Sequence, residues 1–354
     1  MKHILTTITL VAVAGVTSCH KPETTTVTEI TTNHVITDFV QVTAMPQYEQ
    51  LKSRATTLNA AVTAFNTAPT AANLTTARQA WKDTRAAWEQ CEGFLIGPVE
   101  DDNYDPNMDT WPVDYLQLDS FIANSSSFSV AAIQSVSQSL RGFHPLEFIL
   151  WGRTGNNTPD SISARKKQYM VGLSDDLLST ITQLHTSWIT TGGNFQAQML
   201  NAGNGSTRFT TRKEAMLAIL DGLMGICDEV GGGKIKEPFD AYDSTKAESP
   251  FSHNSMTDFT NNLIGAQNVY MCQYNGITGK SMSQFVSAKN LALDNKVKQQ
   301  FNTAIAALQS VTVSFEAAIF TQRIQLQNAM NAIGELHSTL ETDVKKLVET
   351  YAKD

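Results

Sequence analysis

Apolar side chains recur at intervals of three and four residues over most of this chain, and that spacing commits it to amphipathic helices packed against one another. Tyr48, Leu51, Ala55, Leu58, Val62 and Phe65 form one such stripe, and Ala77, Trp81, Trp88, Cys91 and Leu95 a second. Tyr169, Leu173, Leu177, Leu184 and Trp188 form a third, Met216, Leu220, Leu223, Cys227 and Val230 a fourth, and Met256, Phe259, Leu263, Ala266 and Tyr270 a shorter one. Near the C-terminus Phe301, Ile305, Leu308, Phe315 and Ile319 face Leu326, Met330, Ile333, Leu340, Val344, Leu347 and Tyr351 across a brief turn, the pattern of an αα-hairpin. No comparable run alternates with period two, so the expected fold is all-α, built from antiparallel helical bundles. A glycine-rich stretch from Gly192 to Ser206 is the clearest interior break. It divides the expected N-terminal bundle, residues 38–195, from a C-terminal bundle, residues 205–354.

The first residues read differently. Lys2 and His3 precede an apolar run from Ile4 to Val16 that is too short to span a bilayer, which marks residues 1–18 as a signal peptide. The run ends in Val16-Thr17-Ser18-Cys19, which resembles the lipobox of bacterial lipoproteins, so Cys19 is the expected lipidated N-terminus of the mature chain. An ordinary signal sequence beside a chance cysteine is the alternative. Residues 19–37, rich in Thr and poor in large apolar side chains, read as a disordered tether. The expected location is therefore a membrane surface outside the cytoplasm, on the periplasmic face or the cell surface, with the lipid on Cys19 as the anchor.

Roughly 300 residues remain beyond the tether, enough for two cores of ordinary size. The net charge of −8 and the lack of a basic cluster after the tether exclude nucleic acid as a natural partner. Cys91, Cys227 and Cys272 are odd in number and lack metal-site spacing. Buried thiols are the main expectation for all three, with a Cys227–Cys272 disulfide as the alternative.

Between Arg85 and Arg141 there is no Lys or Arg, while Glu89, Glu92, Glu100, Asp101, Asp102, Asp105, Asp109, Asp114 and Asp119 all lie within. Much of the window, from Gly97 to Pro112, reads as loop. It has the charge to attract a cation to hard oxygen ligands, although a solvated acidic loop accounts for it as well. The window leads to Gly142-Phe143-His144-Pro145-Leu146-Glu147 and then the apolar Phe148-Ile149-Leu150-Trp151-Gly152. One helical turn separates His144 from Glu147, so an imidazole nitrogen and a carboxylate can serve one metal ion. A helix start explains part of the same pattern, with Pro145 in the first helical position, His144 as its cap and Glu147 favoured by the helix dipole. Bare H-x-x-E spacing is weak, and His20-Lys21-Pro22-Glu23 repeats it in the tether. The neighbourhood of the second match is what distinguishes it.

Other chemistries lack their residues. Neither H-E-x-x-H nor its inverted form occurs, and G-x-S-x-G is missing. Gly279-Lys280-Ser281 resembles the end of a P-loop, but Tyr274 stands where the loop needs glycine, and the segment reads as an ordinary loop. His337 falls on the apolar stripe of the last helix, where a core histidine is expected.

The segment G-F-H-P-L-E-F-I-L-W-G at Gly142–Gly152 closely resembles the G-x-H-x-x-E segment of the imelysin-like family. Trp81, Trp88, Glu92, Phe94, Gly97 and Pro98, followed by Trp111-Pro112, are similar to the family's first-domain helix and following loop. The run Glu248-Ser249-Pro250-Phe251-Ser252-His253-Asn254-Ser255 with Asp258 and Asn268-Val269-Tyr270 resembles its second signature. The resemblance covers about residues 38 to 354. It implies two helical bundles related by an approximate internal two-fold, with the G-x-H-x-x-E segment near their interface. It also implies a lipoprotein or periplasmic setting, an association with iron uptake and its transport partner proteins, and a peptidase label. Carried over by position, His144, Glu147 and Glu92 become candidate metal ligands, and Trp88, Ser252, Asn254 and Asp258 candidate lining residues of one interdomain pocket. Two departures stand out: Pro145 replaces a common alanine, and Cys272 stands where glycine is usual. Ser255-x-x-Asp258 also fits a capping box, so Asn254, Ser255 and Asp258 are equally read as a helix start.

The leading expectation is a lipoprotein that binds a metal ion, iron before zinc or copper, or a metal chelate, and is not primarily an enzyme. The alternatives are a metallopeptidase with His144 and Glu147 as catalytic groups, and a surface interaction module without a small ligand.

Overall fold

The computed structural model describes residues 30–353. The signal peptide, Cys19 and the first part of the tether lie outside the described residues. The tether does not extend to residue 37 as expected. Helix α1 (Thr32–Asp38) starts inside it, capped by the Thr31 side chain, and buries Val35 and Ile36. Two apolar residues on one face suffice here because the helix docks on a ready-made surface rather than standing alone.

Three long helices, α2 (Met45–Thr67), α3 (Ala71–Cys91) and the later α9 (Ala164–Trp188), pack along one another and bury the stripes expected of them. The window read as loop instead forms α4 (Pro98–Asp101) and α5 (Tyr104–Asp109), followed by α6 (Tyr115–Asn124) and α7 (Val130–Gln134). Helix α5 turns Met108 and Asp109 inward, whereas Glu100, Asp101 and Asp102 stay in solvent. Asp114 caps α6 through a 3.0 Å bond from the Gln117 amide. Helix α8 (Phe143–Trp151) carries the G-x-H-x-x-E segment and lies against α3 and α9. The glycine-rich break contains α10 (Phe195–Leu200), whose Phe195 and Met199 are buried.

In the second half, α11 (Arg212–Asp228) and α12 (Lys236–Ala241) are joined through a single π-helical turn, Glu229–Ile235. Helices α13 (Ser255–Met271), α14 (Met282–Lys289), α15 (Leu291–Gln309), α16 (Phe315–Thr321), α17 (Arg323–Thr339) and α18 (Lys345–Tyr351) follow. Helices α15 and α17 form the expected hairpin, with α16 inserted at the turn. After α13 the chain passes through Cys272 at φ 46°, a left-handed conformation that explains why glycine suits this position, into a two-residue hairpin pairing Gln273 with Thr278. Lys280 lies in a loop, and Ser281 caps α14.

Helix α3 packs along α13, and the two backbones touch. A Cβ on Gly265 would lie 2.3 Å from the Gln90 carbonyl oxygen, so only glycine permits the contact. This approach brings Glu89 of α3, and Glu92 just beyond its end, against Asp258 and Asn262 of α13. The three cysteines are buried and free, so the Cys227–Cys272 disulfide is not formed. His337 is half-buried at the edge of a cavity, with Nδ1 4.0 Å from Glu341, because its helix turns that position away from the core. No helix among the described residues is long and apolar enough to cross a membrane.

Candidate functional site

Gly142 opens α8 with φ 84° and lies so close to Met108 that a Cβ would sit 2.0 Å from its carbonyl oxygen. That contact fixes α8 against the end of α5. The helix starts at Phe143, not at Pro145, so His144 is its second residue and not its cap. Pro145 is still tolerated, because amides in a first turn have no helical acceptor to lose.

His144 and Glu147 do lie on one face, both buried, with Nδ1 and Oε2 3.5 Å apart. The other imidazole nitrogen, Nε2, is 2.9 Å from Oδ1 of Asp109. Glu147 Oε1 accepts three hydrogen bonds, from the backbone amides of Phe251 (3.1 Å) and Ser252 (2.7 Å) and from the Ser252 hydroxyl (2.6 Å). Glu147 is thereby locked onto the second signature and belongs to none of the ligand clusters among the described residues. Those clusters, with ligand atoms within 4.8 Å of one another, are Asp109, His144 and Glu248; Glu89, Glu92 and Asp109; and Glu89, Glu248 and Asp258. Of the expected ligands, His144 and Glu92 are therefore joined through Asp109, and Glu147 stands behind His144.

The expected lining residues fall into place as supports. Trp88 donates from Nε1 to Asp109 Oδ2 at 2.7 Å. Asn254 and the Ser249 hydroxyl each donate to Asp258 at 2.7 Å. The capping box read at Ser255-x-x-Asp258 does not form: Ser255 is the first residue of α13, and its Oγ accepts from the Ser249 amide instead. Asp258 is held in place for Arg85, whose Nε is 3.7 Å from Oδ1.

Sequence reasoning missed the two cations at the centre. Arg85 is completely buried and pairs with Asp109, Glu89 and, at 2.7 Å, Glu248. Lys234, from the π turn, reaches Glu92 and Glu248 at 2.9 Å, Glu229 at 3.4 Å and Glu89 at 3.5 Å. Asn262 donates at 2.6 Å to both Glu89 and Glu92. A signal for Arg85 and Glu89 was present: both lie among Trp81, Trp88 and Cys91 on a face otherwise apolar, where a charge needs a buried partner. Nothing local pointed to Lys234, and Glu248 was visible only as the first residue of the second signature.

Five carboxyl groups, those of Glu89, Glu92, Asp109, Glu248 and Asp258, are at most 3% exposed here against two permanent cations, and Glu147 is buried behind His144. The electrostatics reflect the imbalance. Burial pushes Glu89 up to about 8 and Asp258 to about 6 despite Arg85, and it holds Glu92 well above its ordinary value. Burial alone would also raise Asp109, but Arg85 and His144 hold it below the usual carboxylate range. Burial opposes a charged imidazole, yet the bonds to Asp109 and Glu147 raise His144 to about 9. Glu248 Oε2 and Asn262 Oδ1 are buried with no hydrogen-bond partner, a costly arrangement unless a positive centre faces them. One imidazole nitrogen, surplus carboxylate and two orphaned oxygens together fit a bound cation.

The sequence model of the imelysin family matches residues 44–340. Iron-regulated protein A of Synechococcus elongatus is 32% identical over 326 residues, covering 90% of this chain and 87% of that protein. Among solved structures, a protein of Parabacteroides distasonis named as an iron-regulated protein A precursor superposes with a TM-score of 0.83 at 24% identity, over 89% of this chain and 94% of that one. An imelysin-like protein of Psychrobacter arcticum gives a TM-score of 0.73 at 12% identity, over 91% and 97% of the two chains. A match spanning most of the chain, with a relative of such coverage, makes this protein a member of the imelysin family.

Proposed function

We propose that this protein is an exported lipoprotein, anchored through Cys19, that binds a transition-metal ion at the buried site beside His144, with iron the first candidate. One observation carries the reading: five buried carboxyl groups, those of Glu89, Glu92, Asp109, Glu248 and Asp258, share two permanent cations, and two oxygens are left without partners. Such a site is stabilised by a further positive charge. His144 through Nε2, Asp109 and Glu248 are the ligands this reading assigns, a mixed nitrogen and oxygen set that suits iron, manganese or zinc better than calcium. Glu92 and Glu89 add negative charge. Glu147 is a positioning residue: tied to Phe251 and Ser252, it faces Nδ1 and so turns Nε2 toward Asp109. The iron preference draws on the Synechococcus elongatus relative, which is named for iron regulation. A metallopeptidase in which Glu147 activates water has less support, since Glu147 Oε1 already accepts three hydrogen bonds.

Calorimetry on metal-stripped protein tests the reading. We expect His144→Ala to weaken binding of Fe(II), Mn(II) or Zn(II) by about 100-fold or more and Glu147→Gln by about tenfold, the range seen when an outer-sphere partner is lost. Wild-type affinities no tighter than those of His144→Ala, for every metal tried, would sink it.

A further inference from the structure

We propose that Lys234 is a built-in counter-cation that occupies the carboxylate cluster while no metal is bound, and that the π turn carrying it withdraws it when a metal ion enters. The inference rests on the metal-binding reading above and addresses what that reading leaves open: how so acidic an interior stays folded without metal.

Three observations place Lys234 in this role. First, Lys234 is 3% exposed, and its ammonium contacts Glu92 and Glu248 at 2.9 Å and Glu89 at 3.5 Å, all members of the candidate ligand clusters. An ammonium and a metal ion at the same carboxylates repel each other, so the two compete. Second, the residue sits on a conformationally special segment. Glu229–Ile235 is a π-helical turn between α11 and α12, and contains Gly231, Gly232 and Gly233. Relaxing one π turn to α geometry shifts the register by one residue, which rotates Lys234 by about 100° around the helix axis. Third, the movement has both a space and a destination. Gly231 and Gly232 border a cavity of about 370 Å³, closed on its far side by Met330, Asn331 and Gly334 of α17. Glu229, whose side chain is 37% exposed and 3.4 Å from the ammonium, remains available as a partner once Lys234 leaves the interior.

The test compares Mn(II) and Fe(II) binding by metal-stripped wild type, Lys234→Met and, as a control away from the cavity, Lys296→Met, whose side chain is 50% exposed and pairs with Asp343. We expect Lys234→Met to bind at least tenfold more tightly than wild type and Lys296→Met to match wild type. Equal or weaker binding by Lys234→Met, with wild type binding normally, overturns the counter-cation and leaves the metal site standing. Binding by Lys234→Met alone supports the counter-cation and removes the metal reading for the wild-type protein; binding by neither overturns both. Hydrogen exchange on wild type covers the case in which Lys234→Met does not fold. Amides of residues 229–235 are expected to exchange at least threefold faster with saturating Mn(II) than without, and unchanged or slower exchange overturns the proposal.

Discussion

Arg141 and Arg85 are both buried arginines facing carboxylates, and they are built to different rules. Arg141 meets one acid, Asp176, with Nε to Oδ2 at 2.9 Å and Nη2 to Oδ1 at 2.8 Å, and spends its remaining donors on Thr180 and Asn107. Charge balances and no side-chain atom of either partner is left over. Arg85 shares its guanidinium among Asp109, Glu89, Glu248 and Asp258, and with Lys234 still falls short of the acid around it. A perturbed carboxylate does not separate the two cases, because burial raises Asp176 as well despite Arg141. What separates them is the excess of buried carboxyl groups and the orphaned oxygens, and on these the proposal of a ligand site rests, whereas the balanced pair is self-sufficient.

The sharpest way to break this comparison is to remove each arginine. Arg85→Met and Arg141→Met are each expected to cost about 3–5 kcal/mol in chemical denaturation, since both strand buried charge. Added Mn(II) is expected to restore part of the loss in Arg85→Met and none in Arg141→Met. Equal rescue of both, or of neither, removes the distinction.

A smaller effect is expected from pH. Asp258, Glu89 and His144 all hold their protons more tightly in the folded protein than in the unfolded chain. The stability each contributes is full below its ordinary pKa and is lost as pH rises through about 6, about 8 and about 9 respectively. Asp109 acts in the opposite sense, and its contribution is lost on acidification. Between about pH 6 and pH 9 the metal-free protein should therefore lose stability as pH rises, and saturating metal should flatten the slope, because metal binds the deprotonated ligands. Denaturation curves at the two ends of that range decide it, and a metal-free stability that climbs with pH contradicts the assignment.

The smallest effect belongs to the balanced pair. Thr180→Val removes one 3.3 Å bond from Arg141 and should cost about 1 kcal/mol with metal affinity unchanged. A change in metal binding there would mean that the two charge groups are coupled.

Much of the frame was legible beforehand. The stripe from Tyr48 to Phe65 is the buried face of α2, and Trp81, Trp88 and Cys91 are buried on α3, because a periodic face specifies a helix wherever it docks. The adjacency of His144 and Glu147 also followed from helical spacing. The roles did not. Local spacing also allows Pro145 the first helical position, but the helix begins two residues earlier because the contact of Gly142 with Met108, distant in sequence, sets where it starts. Glu147 was read as a ligand, and the Phe251 and Ser252 amides, more than a hundred residues away, claim one of its oxygens. Of the acidic window, Glu89, Glu92 and Asp109 lie within the buried cluster, and burial rather than local charge density selected them.

The sequence alone determined that this chain builds packed α-helices, since periodicity is a property of neighbours along the chain. It also determined that His144 and Glu147 share a face. Only the tertiary structure decided that Asp109, Glu248, Arg85 and Lys234 converge on that face from separate helices and turns, and that acid outnumbers base there. The reason is that Coulomb and desolvation energies depend on separation and burial in space, which the order of residues along a chain does not reveal.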